Sequence, residues 1–189
     1  MRQWFCHKRI VFIPISIEDT EEANQIHSQI IEHRNASNNM KCFYSSVPFT
    51  LERHLEFCKK VDKDPSQFYS GIYAIVDPYN NVIKPTFIGA VSICNIDWEK
   101  KEGEYGRLIF CNPDFLGHGY VHDVDQAIIK LAFEQLGLTS MRSEIFTENT
   151  KAIYVHTKNG WKDSHVLKQH VLKDKKYKDV LVQRISIYD

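Results

Sequence analysis

Hydrophobic residues change their spacing along the chain, and the first part of the pattern predicts one strand and two helices. An apolar run at 10–17 is predicted to be a strand. Apolar residues then recur at helical spacing at 19–34 and again at 50–60. In the second helix Thr50 is the expected N-cap, and the residues expected to face inward are Leu51, Leu55 and Cys58.

The middle of the chain is rich in β-branched and aromatic residues and predicts three strands. They lie at 71–77, 87–96 and 104–111. Turn-forming residues separate them, in the segments "DPYNN" and "WEKKEGE". This arrangement indicates an antiparallel meander with buried central strands.

The last part returns to helical spacing after Gly119, with Gly137 as the expected C-cap. A strand, a helix and two strands are predicted to follow, at 141–147, 149–158, 164–172 and 179–187. The predicted order is β-α-α-β-β-β-α-β-α-β-β. We therefore expect one mixed α/β domain spanning residues 1–189.

Composition and charge argue against several classes of protein. The 24 basic and 24 acidic residues balance, so no basic excess indicates a nucleic-acid partner. Five cysteines without a CxxC pair suit reduced thiols in a cytoplasm better than a disulfide framework or a zinc ribbon. The apolar run at 10–17 contains Pro14 and is too short to span a bilayer, so neither a signal peptide nor a membrane anchor is expected.

The stretch "NPDFLGHGYVHDV" places two glycines at the junction of a strand and a helix. Gly117 and Gly119 would let an anion approach the free backbone N–H groups at the helix N-terminus. A plain turn is the alternative. The stretch lacks the third glycine of a dinucleotide fingerprint and the Gly-Lys-Ser/Thr ending of a P-loop, and it follows an antiparallel meander. A Rossmann fold is therefore disfavoured.

Two histidines in the same stretch raise the question of a metal site. His118 and His122 share a helical face, as zinc ligands often do. However, Gly119 stands where an H-E-x-x-H motif needs Glu, and neither Asp123 nor Asp125 shares that face well. We expect no metal, and His122 has no evident role.

Four segments in register resemble the GNAT superfamily of acyl-CoA-dependent N-acyltransferases, over roughly residues 86–161. They are "FIGAVSICNI", "GEYGRLIFCNPDFLGHGY", "DQAIIKLAFEQLGLTSMRSEIFTENTKA" and "NTKAIYVHTKNGW". The upstream "HRNASNNM" and "TLERHLEF" resemble the branch of ribosomal-protein N-terminal acetyltransferases and nucleotide-linked amino-sugar N-acetyltransferases. That branch also tolerates an acid such as Asp114 where most members have Gln or Arg. The resemblance implies a mostly antiparallel, twisted sheet that is splayed in the middle and flanked by helices.

The resemblance also implies acetyl-CoA or another short acyl-CoA as co-substrate, without a metal. The pyrophosphate would bind the backbone from Leu116 through Gly117, His118 and Gly119 to Tyr120. The pantetheine arm would pair with Leu108, Ile109, Phe110 and Cys111, with Asn149 on its other side. Lys158 matches the end of the last motif and is counted with the cofactor residues.

Two residues are candidates for proton transfer in the implied reaction. The amine must be neutral to attack the thioester, and Glu104 is the expected base, directly or through water; a solvent-facing strand-end carboxylate is the alternative. His156 stands where the family usually has an acidic Tyr, with Tyr154 two residues away. With a pKa of about 6.5, His156 would donate a proton to the leaving thiolate; the alternative is a packing residue. Trp161 is expected in the core.

The candidate acceptor residues are Arg34, His54, Asn95 and Trp98. Arg34 and His54 would meet an acceptor's phosphates, and a solvated helix residue is the alternative for each. Asn95 and Trp98 follow the glycine-containing strand, and the indole would stack on a base or sugar.

The resulting hypothesis is a cytoplasmic N-acyltransferase that acts on a dTDP- or UDP-linked aminodideoxy sugar for a bacterial surface glycan, such as an O-antigen or lipopolysaccharide. The group moved would be acetyl or a short acyl such as 3-hydroxybutanoyl, for which the small Ala90 and Ser92 would leave room. The expected partners are CoA and the nucleotide sugar, with neither nucleic acid nor membrane, and the chain would be a monomer or homodimer. The alternatives are a protein N-terminal acetyltransferase and a non-catalytic acyl-CoA sensor.

Overall fold

A computed structural model describes residues 4–75 and 85–188 as eight strands and five helices. The strands are β1 (Phe5–His7), β2 (Ile10–Ile13), β3 (Phe68–Ala74), β4 (Thr86–Asp97), β5 (Glu102–Phe110), β6 (Ser140–Phe146), β7 (Lys162–Lys173) and β8 (Lys176–Ser186). The helices are α1 (Glu21–Asn35), α2 (Ser37–Met40), α3 (Leu51–Lys63), α4 (Tyr120–Lys130) and α5 (Thr150–Lys158). A 3₁₀ turn, Pro113–Phe115, precedes α4, and a π-helical turn, Leu131–Gln135, continues it. None of these helices has the length and apolarity needed to cross a membrane.

All eight strands form one sheet in the order β1-β2-β3-β4-β5-β6-β8-β7. Every neighbouring pair is antiparallel except β5 and β6, which run parallel. The meander predicted from the sequence is β3-β4-β5, and the predicted mixed α/β class is confirmed. The "DPYNN" turn and the end of the strand predicted at 71–77 lie outside the described residues.

The sheet is splayed between β5 and β6. These strands pair only from Glu102 to Glu104, whereas β5 remains paired with β4 as far as Phe110, opposite Gly89. Arg107 has a positive φ of 54° and lies where the β4–β5 register shifts, which is the signature of a β-bulge. Residues 105–110 therefore border a gap on the β6 side.

Helices cover both faces of the sheet. On one face, Ile30 of α1 packs with Ile109 of β5 and with Cys111, which follows β5. Phe57 of α3 packs on Tyr69 of β3. On the other face, α4 packs against the larger part of the core, to which it contributes Val124, Ala127 and Ile128. The sheet thus separates an α1/α3 face from an α4/α5 face.

Three details differ from the sequence-based prediction. The first predicted strand ends at Ile13, just before Pro14, which has no backbone N–H for a ladder, and the three-residue strand β1 is too short to leave a readable pattern. Leu51 was expected to face inward but is 42% exposed. His54 takes the inward position on α3 instead.

Candidate active site

The glycine turn at the end of β5 has the geometry of an anion site. Gly117 and Gly119 adopt left-handed conformations with φ of 82° and 79°, which favour glycine. Gly119 is the N-cap of α4, so the backbone N–H groups of the first helical turn have no partner within the helix. These groups and the helix dipole favour a negatively charged ligand there.

Arg9, from the turn between β1 and β2, clamps this glycine turn. Its Nη2 donates to the carbonyl oxygen of His118 at 2.6 Å, and its Nε donates to Asp123 Oδ2 at 2.6 Å. Its guanidinium also lies 3.7 Å from the centre of the Tyr120 ring. Lys8 adds a second cation, 3.7 Å from Asp123 Oδ1. Sequence reasoning missed both residues because more than 100 positions separate them from the turn.

We expect Arg9→Gln to raise the KM for acetyl-CoA about tenfold, because a charge-assisted hydrogen bond that fixes the turn is lost. The maximal rate at saturating acetyl-CoA should stay nearly unchanged. Lys130→Gln is the matched control, since it also removes one positive charge, but at the far end of α4, about 15 Å from the turn. Steady-state kinetics with varied acetyl-CoA would contradict the prediction if the two variants behaved alike.

The gap beside β5 offers backbone groups rather than side chains. The amide of Cys111 donates to Ile88 at 2.8 Å, towards β4. Because backbone groups alternate along a strand, those of Leu108 and Phe110 point into the gap. The side chains of Ile109 and Cys111 are buried under α1, and those of Leu108 and Phe110 pack on the α4/α5 face.

Two carboxylates and an arginine meet at the closed end of the gap. The Glu104 carboxylate accepts from Arg142 Nη2 at 2.9 Å and from Asn95 Nδ2 at 3.1 Å. Glu144 lies 3.9 Å from the same guanidinium and accepts from the Tyr44 hydroxyl at 2.8 Å. Burial and the hydrogen bond to Glu144 raise the pKa of Tyr44, so it stays a protonated donor.

The loop that carries Tyr44 is anchored by the end of β7. Lys173 is 4% exposed, and its ammonium donates to the carbonyl oxygens of Met40 and Phe43 and to Ser46 Oγ, at 2.7–3.1 Å. A buried ammonium requires such partners. The β7–β8 hairpin thereby positions the loop beside the carboxylates.

Two further arginines lie on the α1/α3 face. The guanidinium carbon of Arg34 is 3.6 Å from the centre of the Phe43 ring, and burial lowers the pKa of Arg34 to about 10, so it remains charged at neutral pH. Arg107 donates to Gln67 at 2.9 Å and lies over the Phe57 ring. Both cations rest on aromatic rings rather than on a carboxylate of the described residues.

Comparison with known proteins identifies the family of this fold and site. Residues 9–162 match the acetyltransferase (GNAT) domain. The chain belongs to the GNAT acetyltransferase family. It is therefore an acyl-CoA-dependent N-acetyltransferase, and enzymes of this family use acetyl-CoA. It is 25% identical to Acetyltransferase PseH of Campylobacter jejuni subsp. jejuni serotype O:23/36 (strain 81-176), over 77% of this chain and 83% of the relative.

Solved GNAT structures share the whole fold. A spermidine N-acetyltransferase from Vibrio cholerae, in complex with CoA and spermine, superposes with a TM-score of 0.76 at 17% identity, covering 94% of this chain and 95% of that one. A GNAT-family acetyltransferase from Bacillus anthracis gives a TM-score of 0.76 at 18% identity, covering 99% of this chain and 100% of that one. At these identities the likeness establishes the fold.

His156 is buried in this acetyltransferase, on the opposite side of β5 from Glu104. Its ring stacks on Trp161 and Tyr105, with centroids 4.7 and 5.3 Å apart. Glu104 and Tyr105 are successive strand residues, so their side chains lie on opposite faces. Burial lowers the pKa of His156 to about 4, so the expected value near 6.5 is wrong and no imidazolium is available at neutral pH. The geometry favours the packing role, and Trp161 is in the core as predicted.

The backbone of His122 takes part in the contact between α4 and the end of α5. Its carbonyl oxygen accepts from Asn159 Nδ2 at 3.2 Å, and the same amide donates to Asp125 at 2.6 Å. Burial raises the pKa of Asp125 to about 7, against the lowering effect of that amide. Asn159 thus joins the end of α5 to the first turns of α4.

The two cofactor candidates on α5 lie at opposite ends of the helix, about 13 Å apart. Asn149 caps the helix through a 3.5 Å bond from the amide of Ala152. Lys158 is exposed, its ammonium lies 5.6 Å from the centre of the Tyr154 ring, and it precedes Asn159, which contacts His122 of α4. The exposed ring of His118 lies in the turn itself.

The residues predicted from the sequence to contact the acceptor lie in different surroundings. Asn95 contacts Glu104, as described above. Trp98 lies at the β4–β5 turn, where its indole donates to Pro65 at 3.1 Å. His54 is 2% exposed and hydrogen-bonded to His27, so the expectation that it meets a substrate is wrong.

The space beside the central strands lies at Gly106 rather than at Ala90 and Ser92. Ala90 and Ser92 are fully buried between strands, so they line no open space. A Cβ added at Gly106 would meet no atom within 4 Å. Gly106 is two residues from Glu104, so its side chain would point to the same face of β5.

Proposed function

We propose that this acetyltransferase moves an acetyl or short acyl group from CoA to the amine of a nucleotide-linked aminodideoxy sugar. One observation carries the proposal: the acceptor face has carboxylates at one end and, at the other, guanidinium groups that pair with no carboxylate of the described residues. Glu104 suits an incoming amine, and Arg107 lies about 10 Å further along β5. Arg34 adds a half-buried cation on the same face. Such a site suits an amine linked to phosphates better than a polyamine.

The acyl-CoA is proposed to run from the glycine turn into the gap. Its pyrophosphate would accept from the backbone between Leu116 and Tyr120, next to Arg9. Its pantetheine arm would hydrogen-bond with Leu108 and Phe110, the residues whose backbone groups point into the gap. Lys158 is exposed at the end of α5, next to the Asn159 contact with α4, and would suit a further phosphate.

In the proposed reaction the sugar amine attacks the thioester carbonyl in a ternary complex. The C–N bond forms as the C–S bond breaks, and the proton of the amine passes to Glu104, directly or through a water. A backbone N–H on β5 stabilises the oxyanion. The thiolate leaves unaided and takes a proton from water, since a thiol pKa of about 8.5 makes it a good leaving group.

The enzyme is proposed to act as one domain in the cytoplasm, where free cysteines stay reduced. All five cysteines are free thiols in the structure. The resemblance to nucleotide-linked amino-sugar acetyltransferases motivates a role in a bacterial surface glycan.

Thiol release from acetyl-CoA with a panel of amines tests the acceptor. We expect dTDP- or UDP-linked aminodideoxy sugars to exceed the free amino sugar, spermidine and a ribosomal-protein N-terminal peptide. Arg34→Met should lower kcat/KM about tenfold or more for the nucleotide sugar, because a guanidinium–phosphate contact is lost. It should leave the free amino sugar unaffected. Lys59→Met, an exposed charge on α3, is the control.

Any other acceptor preference in this assay would indicate a different function. Preference for the peptide would indicate a protein N-terminal acetyltransferase, and preference for spermidine would indicate a polyamine acetyltransferase. Tight CoA binding without thiol release for any amine would indicate an acyl-CoA sensor. Replacing acetyl-CoA with 3-hydroxybutanoyl-CoA in the same assay identifies the acyl group.

A further inference from the structure

Three side chains that can bind a metal converge between α1 and α3, away from the candidate active site. They are His27 of α1 and His54 and Cys58 of α3, and all three are buried. One ligand atom from each lies within 4.8 Å of the others. His54 and Cys58 are one helical turn apart, which places them on one face of α3.

We propose that His27, His54 and Cys58 form a zinc site that ties α1 to α3. This site is independent of the proposed reaction. Two imidazoles and one thiolate are a ligand set that zinc prefers. Three protein ligands leave a fourth position for a water.

Two of the three distances between ligand atoms match the edges of a zinc tetrahedron. His54 Nε2 lies 3.1 Å from His27 Nδ1 and 3.7 Å from Cys58 Sγ. Zinc bonds of about 2.05 Å to nitrogen and about 2.3 Å to sulfur give N–N edges of about 3.3 Å and N–S edges of about 3.6 Å. The third pair, His27 Nδ1 and Cys58 Sγ, lies within 4.8 Å, so an ion at the centre requires this edge to close by at most about 1.2 Å.

A hydrogen bond outside the cluster fixes which ring nitrogen of His27 is free to bind a metal. His27 Nε2 lies 2.9 Å from the carbonyl oxygen of Ser16, which can only accept a hydrogen bond. The ring proton of neutral His27 is therefore on Nε2, and the Nδ1 lone pair faces His54. A backbone carbonyl that accepts from the second ring nitrogen is the usual support for a metal-binding histidine.

Without a metal ion, hydrogen bonds within the cluster leave the Cys58 thiol without an acceptor on His54 Nε2. His54 Nε2 must donate its proton to His27 Nδ1, since otherwise two lone pairs would face each other at 3.1 Å. That nitrogen then has no lone pair for the Cys58 thiol, which is 3.7 Å away. A cation at the centre would accept a lone pair from all three atoms.

The Cys58 side of the cluster borders a cavity. Cys58 lines a cavity of about 370 Å³ beside α3, which Tyr69 and Asp62 also line. Asp62 follows Cys58 by one helical turn, so its carboxylate lies on the cluster's side of α3. A path to the site is one of the features expected of a real metal centre.

Metal binding by the whole chain tests the proposal without any acyl-transfer assay. The wild type is stripped with a chelator, titrated with Zn²⁺ or Co²⁺, and analysed by elemental analysis and absorption. We expect about one ion per chain, and a tetrahedral cobalt spectrum with a thiolate charge-transfer band. Cys58→Ser should lose that band, and His54→Ala should lose most of the binding. Zinc should raise the Tm of the wild type but of neither variant.

Two residues outside the cluster provide matched controls. His33→Ala removes an imidazole from the same helix as His27, and Cys42→Ser removes a thiol outside the cluster. Both should bind metal like the wild type. The proposal is overturned if the stripped wild type binds neither ion, or if the cobalt charge-transfer band survives in Cys58→Ser. The wild-type titration decides the matter even if a ligand variant fails to fold.

Discussion

Glu104→Gln is expected to lower kcat about 10²–10³-fold, because general base catalysis contributes on that order. The KM for acetyl-CoA should change little, since the glycine turn lies at the other end of the gap. The amide can still accept from Arg142 and Asn95, so the local structure should be kept. Steady-state kinetics with the best amine acceptor, at saturating acetyl-CoA, measures the effect.

Glu102→Gln is the matched control for this change. Glu102 lies on the same strand and pairs with Arg184 at 3.1 Å, outside the candidate site. It should retain nearly full activity. If Glu104→Gln kept its rate while Glu144→Gln lost it, the second carboxylate, bonded to Tyr44, would be the base.

Gly119→Val is expected to raise the KM for acetyl-CoA more than tenfold, because a β-branched side chain is strained at a φ of 79°. An added Cβ would also lie 3.2 Å from Arg9 Nη2 and disturb the clamp. The backbone N–H groups of the turn would then no longer converge on one anion. Calorimetric titration with CoA gives the affinity directly.

Gly137→Val separates this effect from a general loss of stability. Gly137 has a φ of 68°, and a Cβ there meets no atom within 4 Å. The backbone strain is therefore comparable, but the residue lies at the far end of the helical segment. Both variants should lower the Tm, and only Gly119→Val should weaken CoA binding. Equal loss of affinity in the two variants would argue against a pyrophosphate site at the turn.

The sequence predicted the elements whose apolar residues recur over several turns or strand positions. The meander, α4, α5 and the last two strands all appear near the expected residues. The hairpin partner β1 was missed because three residues carry no periodicity. Arg9 was missed for a related reason: a clamp between positions more than 100 residues apart leaves no local pattern.

The sequence was less informative about which side chains face the substrate. Glu104 and Asn95 were proposed from strand motifs, and the structure places them in hydrogen-bond contact, while their roles stay predictions. His54 and His156 were assigned to the site by motif position, but both are buried against partners from other elements. Burial of a histidine depends on its neighbours in space, such as His27 on another helix, and those neighbours are invisible in a one-dimensional pattern.

The gap between β5 and β6 also divides the sheet mechanically. In the part of the chain that the structure describes, three ladder pairs of β5 and β6 join β1–β5 to β6–β8, so few backbone hydrogen bonds hold the two halves of the sheet together. The helix α4 bridges the seam, since it contacts β1, β2 and α5. Cooperative units of a protein often separate where few bonds cross. A ligand that filled the gap would act as a missing strand, and it would couple the unfolding of two half-sheets that are otherwise weakly joined.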